Sequence, residues 1–350
     1  MTDAGLTAAP PTSVVICAYT EERWDDLAAS VAALGRGPIV PLETILVIDH
    51  NPELQERAER ELPGAVTVAN TGSRGLSGAR NTGIATARGE VVAFLDDDAV
   101  PQAGWLAGLL AHYRDPSVMG VGGGADPVWP DQRPPWFPRE FEWVVGCSWE
   151  GLPLGTTPVR NLIGCNMSFR REVFELAGGF SEGIGRVGRT PLGCEETELC
   201  IRLRQRRPAS ILLYDPAVRV DHRVSDDRLR WRYFRTRCYA EGLSKAAVAG
   251  LVGSKDALSE ERAHTMKVLP RGVRTGLGDA RRGDRGGLLR AGNIVAGLAW
   301  TSAGYARGRL ARASVAAALA GGGGAATPPS TPPASDGTTV DGTTVDGSAA

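Results

Sequence analysis

Short apolar segments rich in β-branched residues recur through the first part of the chain, and helical patterns lie between them. Buried parallel strands have such continuous apolar runs, and we predict them at 13–17, 44–49, 66–69 and 90–95. Helices are predicted in the intervening segments, at 20–34, 52–61 and 78–88. Strands that alternate with helices at this spacing predict an α/β fold with a doubly wound, mostly parallel sheet and flanking helices.

Acidic side chains lie at or just after the ends of three of these strands. Glu21 follows the first strand, Asp49 ends the second, and Asp96, Asp97 and Asp98 follow the fourth. Ligands of doubly wound sheets bind at the carboxyl ends of the strands. Adjacent carboxylates repel one another unless a cation is close, and oxygen ligands on a sharp turn suit Mg²⁺ or Mn²⁺. A solvated acidic turn is the alternative, as is a helix N-cap for Asp49.

A glycine-rich segment at 75–83 enters the third predicted helix and carries Arg80. Exposed backbone N–H groups at such a helix start attract phosphate, and Arg80 adds a fixed positive charge. The spacing differs from that of a P-loop, so the segment alone is a weak indication of a phosphate site.

Three titratable residues in the second half of the domain are further candidates. Glu195 and Glu196 begin a predicted helix, whose dipole favours the ionised carboxylate that a general base needs. His222 follows a predicted strand and could complete a metal shell of carboxylates. An ordinary acidic first turn and a structural histidine are the alternatives.

The chain changes in composition after about residue 250, where Gly, Ala and Arg predominate. A weakly apolar helix is predicted at 288–305, flanked by arginines. It is marginal as a membrane span, and a helix on a membrane surface or one packed on the domain fits as well. The predicted division is a flexible leader at 1–12, a main domain at 13–249, a helical segment with a candidate membrane contact at 250–320, and a disordered low-complexity tail at 321–350.

The bulk properties exclude several classes of protein. The formal net charge of −1 gives no indication of nucleic-acid binding. The six cysteines lack Cys-x-x-Cys spacing, which favours reduced core thiols over a zinc or redox site. Residues 1–13 lack the basic and apolar regions of a signal peptide, so we expect a cytoplasmic protein.

In their order along the chain, these segments resemble family 2 glycosyltransferases with the GT-A fold. The resemblance runs from about residue 13 to about residue 249. It is carried by an ordered set of motifs: Val14 to Glu21, the strand ending at Asp49, Gly78 to Gly83, Phe94 to Asp98, Gly164 to Met167, Gly178 to Phe180, Glu195 to Leu199, and His222. The resemblance implies an inverting enzyme that moves a sugar from a nucleotide-diphosphate sugar, expected to be a UDP-sugar, to a hydroxyl acceptor.

The resemblance also implies the roles of individual residues. The nucleobase would be held by Ala18, Tyr19, Glu21 and Asp49, with Arg80 nearby. Asp96 or Asp97 would bind the ribose or the donor sugar. Asp98 would ligate the Mn²⁺ or Mg²⁺ ion on the diphosphate, with His222 as a further candidate ligand.

Glu196 has the position of the catalytic base in this family, and Glu195 precedes it. The family usually has Glu-Asp here, so the base of this chain carries one extra methylene, which shifts its reach by about 1 Å. A second departure is Asp49-His50-Asn51, where the family usually has Asp-Asn/Asp-x-Ser. This difference leaves the nucleobase preference open.

The acceptor side is predicted from a segment at 126–149, which interleaves five prolines with four tryptophans and is expected to be an irregular loop. Aromatic faces stack on sugar rings and lipid chains, so the candidate acceptor wall consists of Trp129, Trp136, Trp143 and Trp149. A structural loop is the alternative. Arginines at 230, 232, 235 and 237 could meet anionic lipid head groups, which would suit a glycan or lipid-linked acceptor in cell-envelope synthesis at the inner face of the membrane.

Two other functions would share some of these features. A nucleotidyltransferase would also use a doubly wound sheet and a carboxylate-bound metal, but the Ala18 to Glu21 segment lacks the expected early glycine-rich loop and lysine. A non-catalytic nucleotide-sugar-binding protein would have no need of the acidic residues at 96–98 and 195–196.

Overall fold

The computed structural model of this chain describes residues 9–185, 192–257, 261–262 and 264–321. The chain divides into two compact units, Met1–Ala311 and Arg312–Ala350, and the described residues of the second unit are the end of a long helix. Most of the predicted leader at 1–12 and of the predicted tail at 321–350 lies outside the described residues. The predicted domain division stays a prediction.

The first half of the fold alternates strands and helices as predicted. Its elements are β1 Thr12–Ala18, α1 Trp24–Leu34, β2 Glu43–Ile48, α2 Pro52–Glu61, β3 Val66–Ala69, α3 Leu76–Thr86 and β4 Val91–Asp96. A short 3₁₀ helix, Glu21–Arg23, precedes α1, and Thr20 caps it by accepting a hydrogen bond from the Glu22 N–H at 3.3 Å.

The remaining strands and the helices between them complete the main unit. They are β5 Ala99–Pro101, α4 Trp105–Ala111, β6 Val118–Val128, β7 Thr157–Pro158, β8 Asn166–Arg170, α5 Glu172–Ala177, α6 Glu195–Arg206 and β9 Ile211–Arg223. The C-terminal helices are α7 Trp231–Val252, α8 Ser254–Ala257, α9 Leu269–Arg281 and α10 Gly286–Gly321.

One sheet joins all the strands, in the order β3-β2-β1-β4-β8-β6-β9-β5 with β7 against β9. The strands β3, β2, β1 and β4 are parallel, while β8 pairs antiparallel with both β4 and β6. Alternate side chains of β1 enter two separate cores: Val14 and Ile16 pack in one, and Val15 and Cys17 in the other. The predicted doubly wound α/β sheet with flanking helices is confirmed, and antiparallel strands extend it.

Strand β6 is the largest element that the sequence pattern did not predict. It contains four glycines, and a Cβ atom on Gly120 would lie 2.8 Å from both Leu212 and Phe169, while one on Gly123 would collide with the Val218 backbone. The absence of side chains therefore lets β8 and β9 approach β6. β9 is continuous from residue 211 to 223, because β6 pairs with it across a register shift.

Within the first unit, α10 packs against α7 through glycine contacts. A Cβ atom on Gly304 of α10 would collide with the backbone oxygen of Tyr239 in α7, and one on Gly242 would collide with that of Thr301. The two helices thus touch backbone to backbone, which supports the predicted alternative of a helix packed on the domain. Among the residues that the structure describes, no helix is both long enough and apolar enough to cross a lipid bilayer.

We predict that Gly304→Ala destabilises the protein by about 2 kcal/mol, because the added methyl group must push α10 away from α7. Gly292→Ala is the matched control, since it lies in the same helix with open space around it and should raise stability by up to about 1 kcal/mol through helix propensity. Urea unfolding measures both changes. Equal stability of the two variants would mean that the helix contact is loose.

Candidate active site

A pocket lies at the carboxyl edge of the parallel strands. The register of the sheet sets Cys17 opposite Asp96 and Ala18 opposite Ile48, so the strands β1, β2 and β4 end close together. The pocket is lined by Cys17, Ala18, Tyr19, Arg23, Asp49, Gly75, Leu76, Ala79, Asp96 and Asp97. The structure therefore brings together five of the predicted donor residues. Glu21 is not part of this lining, and its half-exposed carboxylate lies 3.9 Å from Arg57.

Asp49 ties the end of β2 to the glycine-rich segment. Its carboxylate accepts hydrogen bonds from the Asn70 side chain at 2.6 Å and from the Gly75 N–H at 2.9 Å, and His50 Nδ1 lies 2.8 Å away. The N-cap of α2 is Asn51, whose side chain accepts from the Leu54 N–H at 3.1 Å. The helix-cap alternative for Asp49 is therefore wrong, because Asn51, two residues later, is the N-cap.

Asp97 lies inside the site, and one of its two carboxylate oxygens already accepts a hydrogen bond. Arg23 donates to its Oδ1 at 2.5 Å, and Oδ2 is buried with no hydrogen-bond partner among the described residues. Burial raises the pKa of Asp97 to about 7, Arg23 opposes this shift, and the neighbouring Asp98 adds to it. This is the behaviour expected of adjacent carboxylates in a confined site.

The ligand atoms of Asp96, Asp98 and His222 lie within 4.8 Å of one another. His222 is fixed there because β9 pairs with β5, and its Nε2 lies 3.3 Å from Asp98 Oδ1. Burial lowers the pKa of His222, so the imidazole is neutral at pH 7, the form that ligates a metal. Its buried Nδ1 has no hydrogen-bond partner among the described residues.

These observations fit a divalent cation: two carboxylates and one neutral imidazole converge, and a buried ring nitrogen lacks a partner. Oxygen and imidazole ligands suit Mn²⁺, and oxygen ligands suit Mg²⁺. The site could therefore hold the predicted ion. Asp98 also pairs with Arg228 at 3.0 Å and with Arg23 at 3.2 Å, so positive charge already surrounds this carboxylate.

Arg80 crosses the interior between the pocket and α6. Its guanidinium group is buried and donates to Glu195 Oε1 at 2.7 Å, to Asp96 Oδ1 at 3.2 Å and to the Gly164 carbonyl at 3.0 Å. Burial opposes its charge, but Glu195 and Asp96 raise the pKa of Arg80 above its ordinary value. Arg80 is thus a structural link between the donor-side carboxylate and the start of α6.

The two glutamates at the start of α6 have different environments. Glu195 is buried and paired with Arg80. Glu196 is half-buried, accepts from the Thr197 hydroxyl at 3.0 Å through Oε1, and directs Oε2 towards Gly164. Burial raises the pKa of Glu196 to about 7, and the charge of Glu195 adds to this shift. Of the pair, Glu196 is the carboxylate whose proton affinity is poised near neutral pH.

The tryptophan-rich segment is more ordered than predicted, since it includes a 3₁₀ helix at Arg139–Val145. Trp129, Trp136 and Trp143 pack against a hydrophobic cluster that contains Phe137 and Phe234. This packing is the structural-loop alternative, and the role of the tryptophans on the acceptor side stays a prediction. Trp149 is half-buried.

Two residues of the site were missed by sequence reasoning. Arg23 lies four residues after Tyr19, and its guanidinium group contacts both the Tyr19 ring and Asp97. A basic residue so close to a strand end was a usable signal. Arg228 is far from Asp98 in sequence, and no local pattern marked their pairing.

We predict that Arg80→Met lowers the free energy of unfolding by about 3 kcal/mol, because Glu195 is left as a buried charge without its partner. The double variant Arg80→Met/Glu195→Gln should recover at least about 1 kcal/mol of this loss. Urea unfolding of the single and double variants tests both statements. If the double variant is as unstable as the single one, the ion pair is not the reason for the loss.

Comparison with known proteins agrees with this geometry. Residues 13–177 match the family model described as Glycosyl transferase family 2. The glucosyl-dolichyl phosphate glucuronosyltransferase of Haloferax volcanii is 33% identical over 237 residues, which cover 67% of this chain and 75% of that protein. The pre-mycofactocin glycosyltransferase of Mycobacterium tuberculosis is 52% identical over 46 residues, 13% of this chain and 10% of that protein.

A solved structure shows the shared fold. The mannosyltransferase of Pyrobaculum calidifontis in complex with GDP-Man and Mn²⁺ superimposes with a TM-score of 0.51 at 18% identity, covering 84% of this chain and 88% of that one. The predicted GT-A fold is confirmed. The family match, the extended similarity to the Haloferax enzyme and the convergent carboxylates together show that this chain is a glycosyltransferase and belongs to family 2.

Proposed function

We propose that this glycosyltransferase moves a sugar from a UDP-sugar to a hydroxyl group of a lipid-linked saccharide, in a single displacement that inverts the anomeric carbon. The Haloferax relative is named for action on a glucosyl-dolichyl phosphate, which is a sugar on a lipid phosphate, and this similarity supports a lipid-linked acceptor. The preference for UDP over other nucleotides rests on the resemblance of the sequence motifs.

The different environments of Glu195 and Glu196 at the start of α6 are the main support for this proposal. Glu195 forms an ion pair with Arg80, whereas Glu196 accepts a hydrogen bond from the Thr197 hydroxyl and has its pKa raised to about 7 by burial and by the charge of Glu195. A general base is most effective when its pKa is near the working pH. Glu196 removes the proton of the acceptor hydroxyl as that oxygen attacks, and Glu195 holds the helix start in place through Arg80.

The strand ends hold the donor in this proposal. Ala18, Tyr19 and Asp49 bind the nucleobase where they line the pocket, with Glu21 at its margin. Asp96 or Asp97, which both line the pocket, binds the ribose or the donor sugar.

Asp98 and His222, with Asp96 beside them, would hold Mn²⁺ or Mg²⁺. A divalent ion bound there neutralises charge on the departing diphosphate. Arg23 and Arg228 keep Asp98 oriented by pairing with it.

An anionic membrane surface is the proposed location of the acceptor, at the cytoplasmic face. The outer side of α10 is apolar and exposed between residues 288 and 306, with Leu288, Leu289 and Val295 each more than half exposed. Arginines flank this face at 281, 282, 285, 307 and 309. On the same surface, Arg235 of α7 lies 5.4 Å from the ring centre of Trp300. An apolar helix face with basic ends and a tryptophan suits a helix lying at a lipid interface.

We predict that Glu196→Gln abolishes turnover while leaving donor binding intact, because the amide keeps the shape of the side chain but accepts no proton. Calorimetric titration with UDP, GDP and dTDP, each with and without Mn²⁺, measures binding, and we expect metal-dependent binding of UDP. Glu175→Gln, the same change at an exposed position of α5, is the matched control.

In the parent enzyme, kcat/KM should fall as the pH drops below about 7, since the raised pKa of Glu196 leaves the base protonated there.

An active Glu196→Gln enzyme would rule out this residue as the base. A folded protein that binds none of the three nucleotides would instead favour the non-catalytic alternative for this chain.

We predict that the protein floats with anionic liposomes at low salt and not with neutral ones. Leu289→Glu/Val295→Glu should reduce the bound fraction at least about tenfold, because two apolar side chains are lost from the interface and two negative charges are added. Leu154→Glu is the control, since Leu154 is 99% exposed in a loop away from α10 in the sequence. Flotation of the double variant to the same extent as the parent protein would contradict the membrane contact.

A further inference from the structure

The residue before the two site glutamates has an unusual backbone conformation. Cys194 is the N-cap of α6 and has φ 72° and ψ 16°, in the left-handed region that side-chain-bearing residues rarely adopt. Among the described residues, only His50 shares a positive φ without being glycine. Such a conformation persists when the surrounding structure holds it.

Two contacts with α7 hold this helix start. The Cys194 thiol donates to Glu241 Oε1 at 3.3 Å, and the Gly193 N–H donates to Ser244 Oγ at 3.0 Å. Glu241 and Ser244 are three residues apart and so lie on one face of α7. Both are buried, as is Cys194.

We propose that Glu241, acting through Cys194, is a positioning residue that sets the direction of the catalytic carboxylate Glu196. This inference rests on the proposed role of Glu196 as the base. α6 is then fixed from two sides, by Arg80 through Glu195 and by Glu241 through Cys194.

Glu241 is suited to this task because it is held as a charged acceptor. Arg237 donates to its Oε2 at 3.0 Å, and Lys245 lies 3.1 Å from its Oε1. Burial opposes ionisation, but Lys245 and Arg237 lower the pKa of Glu241 to about 2. Hydrogen bonds to an ionised acceptor are stronger than those between neutral groups.

The same buried network continues away from the site. Lys245 donates to Glu261 at 2.7 Å, and Glu261 also pairs with Arg160 at 2.7 Å. Glu261 contacts Lys245 and Arg160 rather than Cys194, so it offers a control for the loss of one buried carboxylate charge.

Glu241 also acts on Glu196 through its charge. Among the described residues, the charges of Glu195 and Glu241 contribute to raising the pKa of Glu196, and the charge of Arg80 opposes them. Removing that charge should move the acid limb of the pH profile to lower pH, whereas a general loss of stability would lower the rate at every pH alike.

The test uses the full chain and two substitutions at Cys194. Cys194→Ser keeps a hydrogen-bond donor for Glu241 and should retain nearly the parent kcat. Cys194→Ala removes the donor but keeps the side-chain-bearing left-handed position. It should lower kcat about tenfold, with unchanged UDP affinity in the presence of Mn²⁺, since displacement of a positioned group by about 1 Å has effects of that order or larger.

The second arm compares Glu241→Gln with Glu261→Gln. We expect the acid limb of kcat/KM to move to lower pH in Glu241→Gln and to stay in place in Glu261→Gln. Equal kcat values for Cys194→Ala and the parent enzyme would overturn the inference, as would equal shifts of the limb in the two glutamine variants.

If Glu241→Gln fails to fold, the serine and alanine variants of Cys194 decide the question alone. Failure of the proposed function gives a different result: an active Glu196→Gln enzyme would show that Glu196 is not the base. An inactive Glu196→Gln enzyme together with a fully active Cys194→Ala enzyme would refute the positioning role of Glu241 and support Glu196 as the base.

Discussion

The buried guanidinium group of Arg80 is the interaction on which the site depends. It lies on α3, within the glycine-rich segment, yet its partners come from the end of β4, from the start of α6 and from the backbone at Gly164. A charge buried this deeply is tolerated only with such partners. The same residue therefore links the end of β4, beside the pocket, to the start of α6, and rearranging either end would leave an unpaired charge in the interior.

Sequence reasoning recovered the parts of the fold in which local pattern and tertiary environment agree. β1, β2 and β4 are continuous apolar runs because both of their faces are covered, and their carboxyl ends carried the acidic residues that line the pocket. Strand β6 was not predicted, because its glycines are required by the close approach of β8 and β9, which is a property of the assembled sheet.

The site was predicted to a similar degree, for the same physical reason. Motif order indicated Asp98, His222 and Glu196. Arg228, which pairs with Asp98, and Glu241, which accepts a hydrogen bond from Cys194, lie on elements distant in sequence, where no local signal exists. The resemblance already assigned the base to Glu196, and the structure adds how the two glutamates differ: both occupy the first turn of one helix, but Glu195 is buried against Arg80 and Glu196 is half-buried. Burial and pairing separate a charge-neutralised anchor from a carboxylate with a pKa near 7.

The contact between Gly242 and Gly304 has a different kind of consequence. Every substitution at either position adds atoms where two backbones already touch. A substitution there therefore disrupts the contact between α7 and α10 and cannot adjust it in small steps. The exposed face of α10 lies away from this contact, so its apolar character, and with it the proposed membrane contact, can be changed without disturbing the crossing of the two helices.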